Sequence, residues 1–514
     1  MLSFVARRFF ATLMVLLIAS FVVYQLTAIS GDPLAEIRSQ GGREVVQRVA
    51  FLTEALDLDT PPVMRYFLWL GGAAGCLVGQ CDLGLSVSRG LVPVTDAIST
   101  AMFSTIQLIT AATILSILVG VAIGMTTALR QYSGYDYSVT FFAFVFYSLP
   151  IFWVAVLLKE YGAIRFNRFL ADPIISLPIG ALVAIGGGLI ISSVFGGGLM
   201  SRLRTFGLTA ALSAGTIVFL NQTLWLKNPS LGILGVALLS FMGAGVVLLL
   251  TVGLGNPRAV VTLLVTAATV PAMWLPIQYL FFFMPSFMGL AIATFGLAAV
   301  GVIIGLALGG EGRAEISRAS AVVGFLGGLV LIADEALQHW GIFTDQITLK
   351  TGFISTIGAV TPTIASQDNI WLNILDGYSH LLLPTIALMI ISVAGYTRYA
   401  RASLLEVLNQ DYIRTARAKG LNERTVIVKH GMRNALLPIA TIIPVDITTI
   451  IGGAVITERV FAWDGMGQLF LRGLAAVDVN LVMGYVLVVG LMAVVGNVIA
   501  DILYSALDPR IRIN

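Results

Sequence analysis

Uncharged stretches of bilayer length recur along nearly the whole chain, and they leave little choice of fold. A helix needs about 20 consecutive apolar residues to cross the hydrocarbon core of a membrane. It must also satisfy every backbone N–H and C=O within itself, because no water is there to do so. Such stretches run over residues 9–29, 103–129, 137–158, 377–397, 434–457 and 479–500, with Asp446 the one charge inside them. A second group lies between the third and fourth of these, near residues 173–201, 205–226, 228–257, 259–284, 285–310 and 319–333. The uninterrupted run over 259–310 is read as two spans, with Met284-Pro285-Ser286 supplying the turn. The chain is 58% hydrophobic and only 11% charged, whereas soluble domains carry about a quarter charged residues. The expected fold class is an all-α polytopic membrane protein of twelve spans.

Charge gives the expected orientation. Lys and Arg concentrate in cytoplasmic loops, and a cytoplasmic N-terminus collects Arg7, Arg8, Arg130, Arg202, Arg204, Arg258 and the basic residues of 398–433 on that side. Only Lys159, Arg165 and Arg168 fall awkwardly outside. Arg7-Arg8 and the long apolar run after them read as an uncleaved first span, since the run exceeds the h-region of a signal peptide. Nothing in the sequence interleaves basic and aromatic residues in the way nucleic-acid binding requires.

One polar segment stands out between two membrane-length runs, DYIRTARAKGLNERTVIVKHGMRNALLP over residues 411–438. Arg414, Arg417, Lys419, Arg424, Lys429 and Arg433 outweigh Asp411 and Glu423 in it, which places it in the cytoplasm. It reads as helix, turn, helix. Tyr412, Thr415 and Ala416 share one face, Gly420 interrupts, and Val426, Ile427 and Met432 begin a second periodic run. A short helix pair on a membrane surface is a knob that another protein can grip; an ordinary basic loop is the plainer reading.

ARAKGL followed by Leu437-Pro438 resembles the cytoplasmic coupling loop of binding-protein-dependent ABC importer permeases, in their dipeptide/oligopeptide branch. RRFFATLMVLLIASFVVYQLTAISGDP near the N-terminus, LDLDTPP, Asp82-Leu83-Gly84, STIQL and SLPIFW follow in that family's order. GGAVITERVFAWDGMGQLF and a closing LDPRIR come after the loop. The resemblance covers roughly residues 1–160 and 375–514. It implies a type I importer transmembrane domain with six core spans, divided into 1–160 and 376–514. An inserted membrane region over 161–375 would add about six spans. Asp411, Tyr412, Thr415, Ala416, Ala418, Lys419, Gly420, Leu421 and Pro438 would then form the ATPase-coupling loop. The implied partners are a second related permease, two ATP-binding subunits that carry ATP and magnesium, and an extracytoplasmic peptide-binding protein. The implied location is a bacterial cell membrane, multi-pass, with both termini cytoplasmic.

Chemistry on the chain itself is sparse. Three histidines, His339, His380 and His430, are too scattered for a His-based triad, and no phosphate-loop motif occurs. No bound cofactor or metal is expected, and ATP hydrolysis belongs on other subunits. Asp446, beside Pro444 and Thr448-Thr449, is a carboxylate inside a span; such groups mark a pathway or pair with a neighbouring helix. The resemblance implies an outer gate near Glu458, Trp463, Asp464 and Gly465, although a surface turn with an interfacial Trp reads equally well. Cys76 and Cys81 are the only cysteines and form a candidate disulfide in the outer segment between the first two spans. The inserted region is Gly-rich, as at Gly186-Gly187-Gly188 and Gly196-Gly197-Gly198, which suits close helix packing in lipid. Its spans show no charge and no polar cluster. It is read as a lipid-facing appendage or a docking surface, and excision of residues 174–338 is expected to leave a subunit that still assembles. The competing function is a self-contained twelve-span secondary transporter, which calls for polar residues at mid-membrane in both halves. Nickel or other small cargo is the alternative to peptide, and a scaffold role leaves the 411–438 segment unexplained.

Overall fold

The computed structural model describes residues 2–40, 42–253, 255–347 and 352–507. The closing LDPRIR therefore lies mostly outside the described residues. In chain order the main helices are α1 (Leu2–Ile29), α2 (Pro62–Gly75), α3 (Val94–Leu129), α4 (Gly134–Ser148) and α5 (Ile151–Leu157). Next come α6 (Leu177–Phe195), α7 (Leu199–Thr223), α8 (Gly232–Leu250), α9 (Pro257–Ala272), α10 (Trp274–Phe283), α11 (Phe287–Leu308) and α12 (Arg313–Gln338). The chain closes with α13 (Ile370–Leu408), α14 (Asp411–Ala418), α15 (Arg433–Gly453), α16 (Val455–Phe461), α17 (Met466–Ala475) and α18 (Val479–Leu507). Among the described residues, eight helices are long and apolar enough to cross a membrane, or ten when each of two bent pairs counts as one span. The apolar parts of α1 and α6 are shorter, and with them each of the twelve sequence runs corresponds to helix. The chain is an all-α, multi-pass membrane protein.

Two compact units divide the chain. One comprises Met1–Glu160, Ile357–Ala359 and Leu381–Asn514, the other Tyr161–Thr356 and Val360–His380. In the first, Tyr24, Tyr66, Trp69, Val94, Ile98, Met466, Leu469, Leu481 and Met483 form one core cluster from α1, α2, α3, α17 and α18. Gly120 and Gly124, one turn apart on α3, let α13 approach closely. A Cβ at Gly120 would overlap Tyr396, and one at Gly124 would overlap Ala400; small residues at this spacing are the usual device for helix contact in lipid.

The third sequence run is not one straight span. Helix α4 ends at Ser148, and the helical stretch Ile151–Ala171 leaves at 102° to it. Pro150 explains the break. It has no N–H to donate and forces Leu149 out of the helical region, where Leu149 sits at ψ 131°. Lys159, awkward on charge alone, lies on this stretch and donates from Nζ to the Val460 carbonyl at 3.2 Å.

In the second unit the α9–α10 pair bends by 48°, and the turn before α11 falls at Met284-Pro285-Ser286. The expectation that these spans lack a charge is corrected here. Helix α12 continues past Ala333, so Asp334 is inside it and buried. Its carboxylate accepts from Trp274 Nε1 at 2.7 Å, from the Gly232 N–H at 2.8 Å and from Gln338 Nε2 at 3.3 Å. It thereby ties the start of α8 and the α9–α10 bend to α12. Packing also runs beyond residue 338, since Phe343, Ile364, Trp371 and Leu372 are buried with Val270 and Phe281 in one cluster. Excision of 174–338 would uncover these side chains, so those limits do not bound a clean appendage.

Candidate functional site

Helix α14 begins after Gln410, in extended backbone, and ends at Ala418. Its buried face is Ile413 and Ala416, which pack with Val426 against Val407 and Leu408 at the end of α13. Tyr412 and Thr415 do not share that face; both are exposed, together with Asp411, Ala418, Lys419, Gly420 and Leu421. The difference is one of register. Ile413 is the apolar residue a turn ahead of Ala416, and a helix buries its i, i+3 pair.

Gly420 sits at φ +75°, the left-handed conformation that a Cβ disfavours. Across the turn it makes, Arg417 donates to Glu423 through Nε at 3.1 Å and through Nη2 at 2.7 Å. This fork-on-carboxylate clamp holds the Glu423 carboxyl below its ordinary range. The chain then winds through a wide helical turn over Val426–Met432 into α15. Asn434 Nδ2 donates to the Tyr412 hydroxyl at 2.9 Å, tying the exposed helix to the start of α15. Pro438 is a residue of α15 itself, not of the protruding segment.

The base below this segment is tightly packed. Met125 and Ala128 of α3, Leu404 of α13 and Ala435 of α15 are buried together. Ser403 Oγ donates to the Ala435 carbonyl at 2.8 Å. Arg401 of α13 grips Asp136 of α4 through Nε at 2.7 Å and Nη2 at 2.9 Å, and Asp136 is buried. Sequence reasoning missed this pair. Its residues are far apart along the chain, and the signal available was an acid in the first turn of a span facing a basic residue at the end of another.

Asp446 lies on α15, half-buried, with Pro444 buried two residues before it. The Tyr396 hydroxyl of α13 is its polar neighbour, although that buried hydroxyl makes no well-directed hydrogen bond. The side chains of Thr448 and Thr449 lie outside the described residues.

Trp463 is not an interfacial side chain on a surface turn. It is fully buried with Leu108, Ala112 and Leu388, and its Nε1 donates to the Ser104 carbonyl at 3.2 Å. Glu458 is buried too, and its carboxylate accepts from Thr105 Oγ1 at 2.8 Å and from the Gln468 N–H at 3.0 Å. The carboxylate therefore caps the N-terminus of α17, where unpaired N–H groups and the helix dipole favour negative charge. Gly465 packs against it so closely that a Cβ would overlap the carboxylate. Asp464 is exposed and pairs with Arg472 at 2.9 Å. The structure thus brings Glu458, Trp463 and Gly465 into one packed joint and leaves Asp464 at the surface.

Cys76 and Cys81 are joined as a disulfide just after α2. In the second unit His380 lies beside Asp376 at 3.4 Å, both buried, and the Thr361 N–H donates to Asp376 at 2.8 Å. Among the described residues, no group of three or more His, Cys, Asp or Glu is placed to hold a metal ion.

Residues 349–513 match the family described as binding-protein-dependent transport system inner membrane component. The chain is 50% identical over 140 residues to the oligopeptide transport system permease protein AppB of Bacillus subtilis, covering 27% of this chain and 44% of that protein. It is 40% identical over 157 residues to OppB of Mycobacterium tuberculosis, an oligopeptide transport system permease protein, covering 30% and 48%. The dipeptide transport system permease protein DppB of Escherichia coli K12 is 40% identical over 171 residues, covering 33% and 48%. The chain spans about half the length of these curated relatives. The region from α13 to α18, with the α14 segment at its centre, is thus similar to the inner-membrane component of binding-protein-dependent transport systems, and the chain is similar in part to peptide permeases.

Proposed function

We propose that this chain is a membrane-spanning permease subunit of an ATP-driven importer of dipeptides or oligopeptides, set in a bacterial cell membrane with both termini cytoplasmic. It forms half of the translocation pathway, and a second related permease forms the other half. Two ATP-binding subunits, carrying ATP and magnesium, grip the 411–421 segment, and an extracytoplasmic binding protein delivers the peptide. The observation that supports this best is the segment itself. A short helix with one buried face presents its other face outward, ends in the left-handed Gly420 turn and is clamped by Arg417 and Glu423.

The mechanism follows from how that segment is mounted. ATP-driven closure of the partner subunits displaces α14. Ile413 and Ala416, packed on the end of α13, and Asn434, bonded to Tyr412, pass the motion to α13 and α15. The close α3–α13 contact and the Arg401–Asp136 pair make these helices move together. From Arg433 to Asp446 along α15 is about 20 Å at 1.5 Å per residue, so a tilt at the segment becomes a displacement at mid-membrane. There Asp446 attracts the amino group of the peptide, and Pro444 loosens the helix around it.

Purification in mild detergent tests the assembly. A related permease and ATP-binding chains are expected to co-elute. A chain that elutes alone and, alone in liposomes, takes up peptide down an ion gradient would replace this reading with a secondary transporter.

A further inference from the structure

Helix α2 lies in the segment read from sequence as simply outside the membrane, yet it is apolar and half of it is unpaired with protein. Val63, Met64, Phe67 and Leu68 are exposed, and so are Leu77 and Val78 at the disulfide-closed tip that follows. The helix turns back along α1. Tyr66 meets Ser20 at 2.9 Å, and Arg65 Nε donates to the Tyr24 hydroxyl at 3.0 Å.

Two cavities flank this pair and share Trp69 as a wall. The larger, about 750 Å³, is bounded by α1, α2, α3 and α18 and has no charged side chain in its lining. The smaller, about 440 Å³, carries Arg65 together with Asp57 and Asp82. The α1 residues that line them fall on one helical face in a telling order. Leu13, Leu16, Leu17 and Ser20 line the apolar cavity, and Tyr24, one turn nearer the helix end at Ile29, lines the polar one. Hydrocarbon-like surroundings thus give way to charged ones along the membrane normal.

An apolar groove of this size offers ordered water too few partners, since each water needs two to four polar ones. In a bilayer the solvent that enters it is a lipid chain. We propose that the two cavities together bind one zwitterionic phospholipid. Its acyl chain lies between α1, α2, α3 and α18, its phosphate faces Arg65, and its ammonium group faces Asp57 and Asp82. The disulfide after α2 fixes the tip that closes the site.

The test uses the full chain in its assembled complex, in vesicles of phosphatidylethanolamine with dibrominated acyl chains, which quench nearby tryptophans. Trp69 is nearly buried and shielded from bulk lipid, so the quenching lost in Trp69→Phe reports the cavity. That component is expected in the wild type and expected to vanish in Ala74→Phe/Ser99→Phe. Both of these side chains are exposed into the cavity, so the change fills it without displacing the core. Asp57→Asn/Asp82→Asn, which leaves the apolar cavity intact, is expected to keep the quenching but lose the preference for brominated phosphatidylethanolamine over brominated phosphatidylglycerol, because the ammonium group is what distinguishes the two. Absence of Trp69-dependent quenching, or its persistence in the filled variant, overturns the site. Quenching in the isolated chain that disappears on assembly would assign the groove to a partner helix, and an unchanged preference in Asp57→Asn/Asp82→Asn would overturn the head-group assignment.

Discussion

Replacing Gly420 separates the two ways the 411–421 segment can matter. An L-residue in the left-handed helical region costs roughly 1–2 kcal/mol, and the φ of +75° puts Gly420 there. A Cβ at this position would meet no atom within 4 Å, so packing inside the chain adds nothing to that cost. Gly420→Ala and Gly420→Leu should therefore both weaken the turn by about 1–2 kcal/mol, a factor of about 5–30 in its population. Gly420→Asn should cost less, because Asn tolerates this conformation. The assay is peptide taken up per ATP hydrolysed in proteoliposomes, after membrane insertion and complex assembly have been shown equal. Coupling is expected to fall in the order Gly, Asn, then Ala and Leu together. Wild-type coupling in a folded Gly420→Leu protein would remove the segment from the coupling path. A loss in Leu with none in Ala would mean that the side chain collides with a partner and that the backbone turn is not what matters.

Three further outcomes follow from named groups. Asp446→Asn should weaken uptake of free-amine peptides more than of N-acetylated ones; equal loss on both, with Tyr396→Phe behaving alike, would make Asp446 a helix-pairing residue. Arg401→Ala leaves Asp136 buried without its charge partner. Breaking a fully buried pair costs about 3–5 kcal/mol, and the 29% exposure of the Arg401 side chain reduces this to about 2 kcal/mol. Thermal unfolding in detergent at an unchanged temperature would show that the pair holds nothing. Mass spectrometry of unreduced protein should find Cys76 linked to Cys81, and complete alkylation of both thiols without reductant would contradict that.

The spans were legible because a membrane imposes one rule on every residue of a segment, and 103–129 or 479–500 announce themselves without reference to any other part of the chain. Gly420 was legible for a similar reason: a glycine between two periodic runs needs no partner to be read as a turn. What stayed hidden depends on residues distant in sequence. Asp136 finds Arg401, Glu458 finds Thr105 and the start of α17, and Asp334 finds Trp274 and Gly232. The burial of Trp463 was not legible, because an aromatic near a span end looks the same whether it meets lipid headgroups or the Ser104 carbonyl. The break at Pro150 was visible in principle, but the apolar run continued through it and hid the bend. Residues at the edge of an apolar run, such as Asp334, were lost where the run was cut one residue too early.

The central claim is that this chain moves peptide by coupling to separate ATPases. Its most direct measurement is uptake of a labelled peptide into proteoliposomes holding the purified complex, with the binding protein outside and ATP supplied on the ATPase side. Uptake is expected only when ATP, the ATP-binding subunits and the binding protein are all present, and it should drop when Gly420 is replaced by Leu. Peptide uptake by this chain without ATPase subunits, driven by an ion gradient and indifferent to Gly420→Leu, would contradict it.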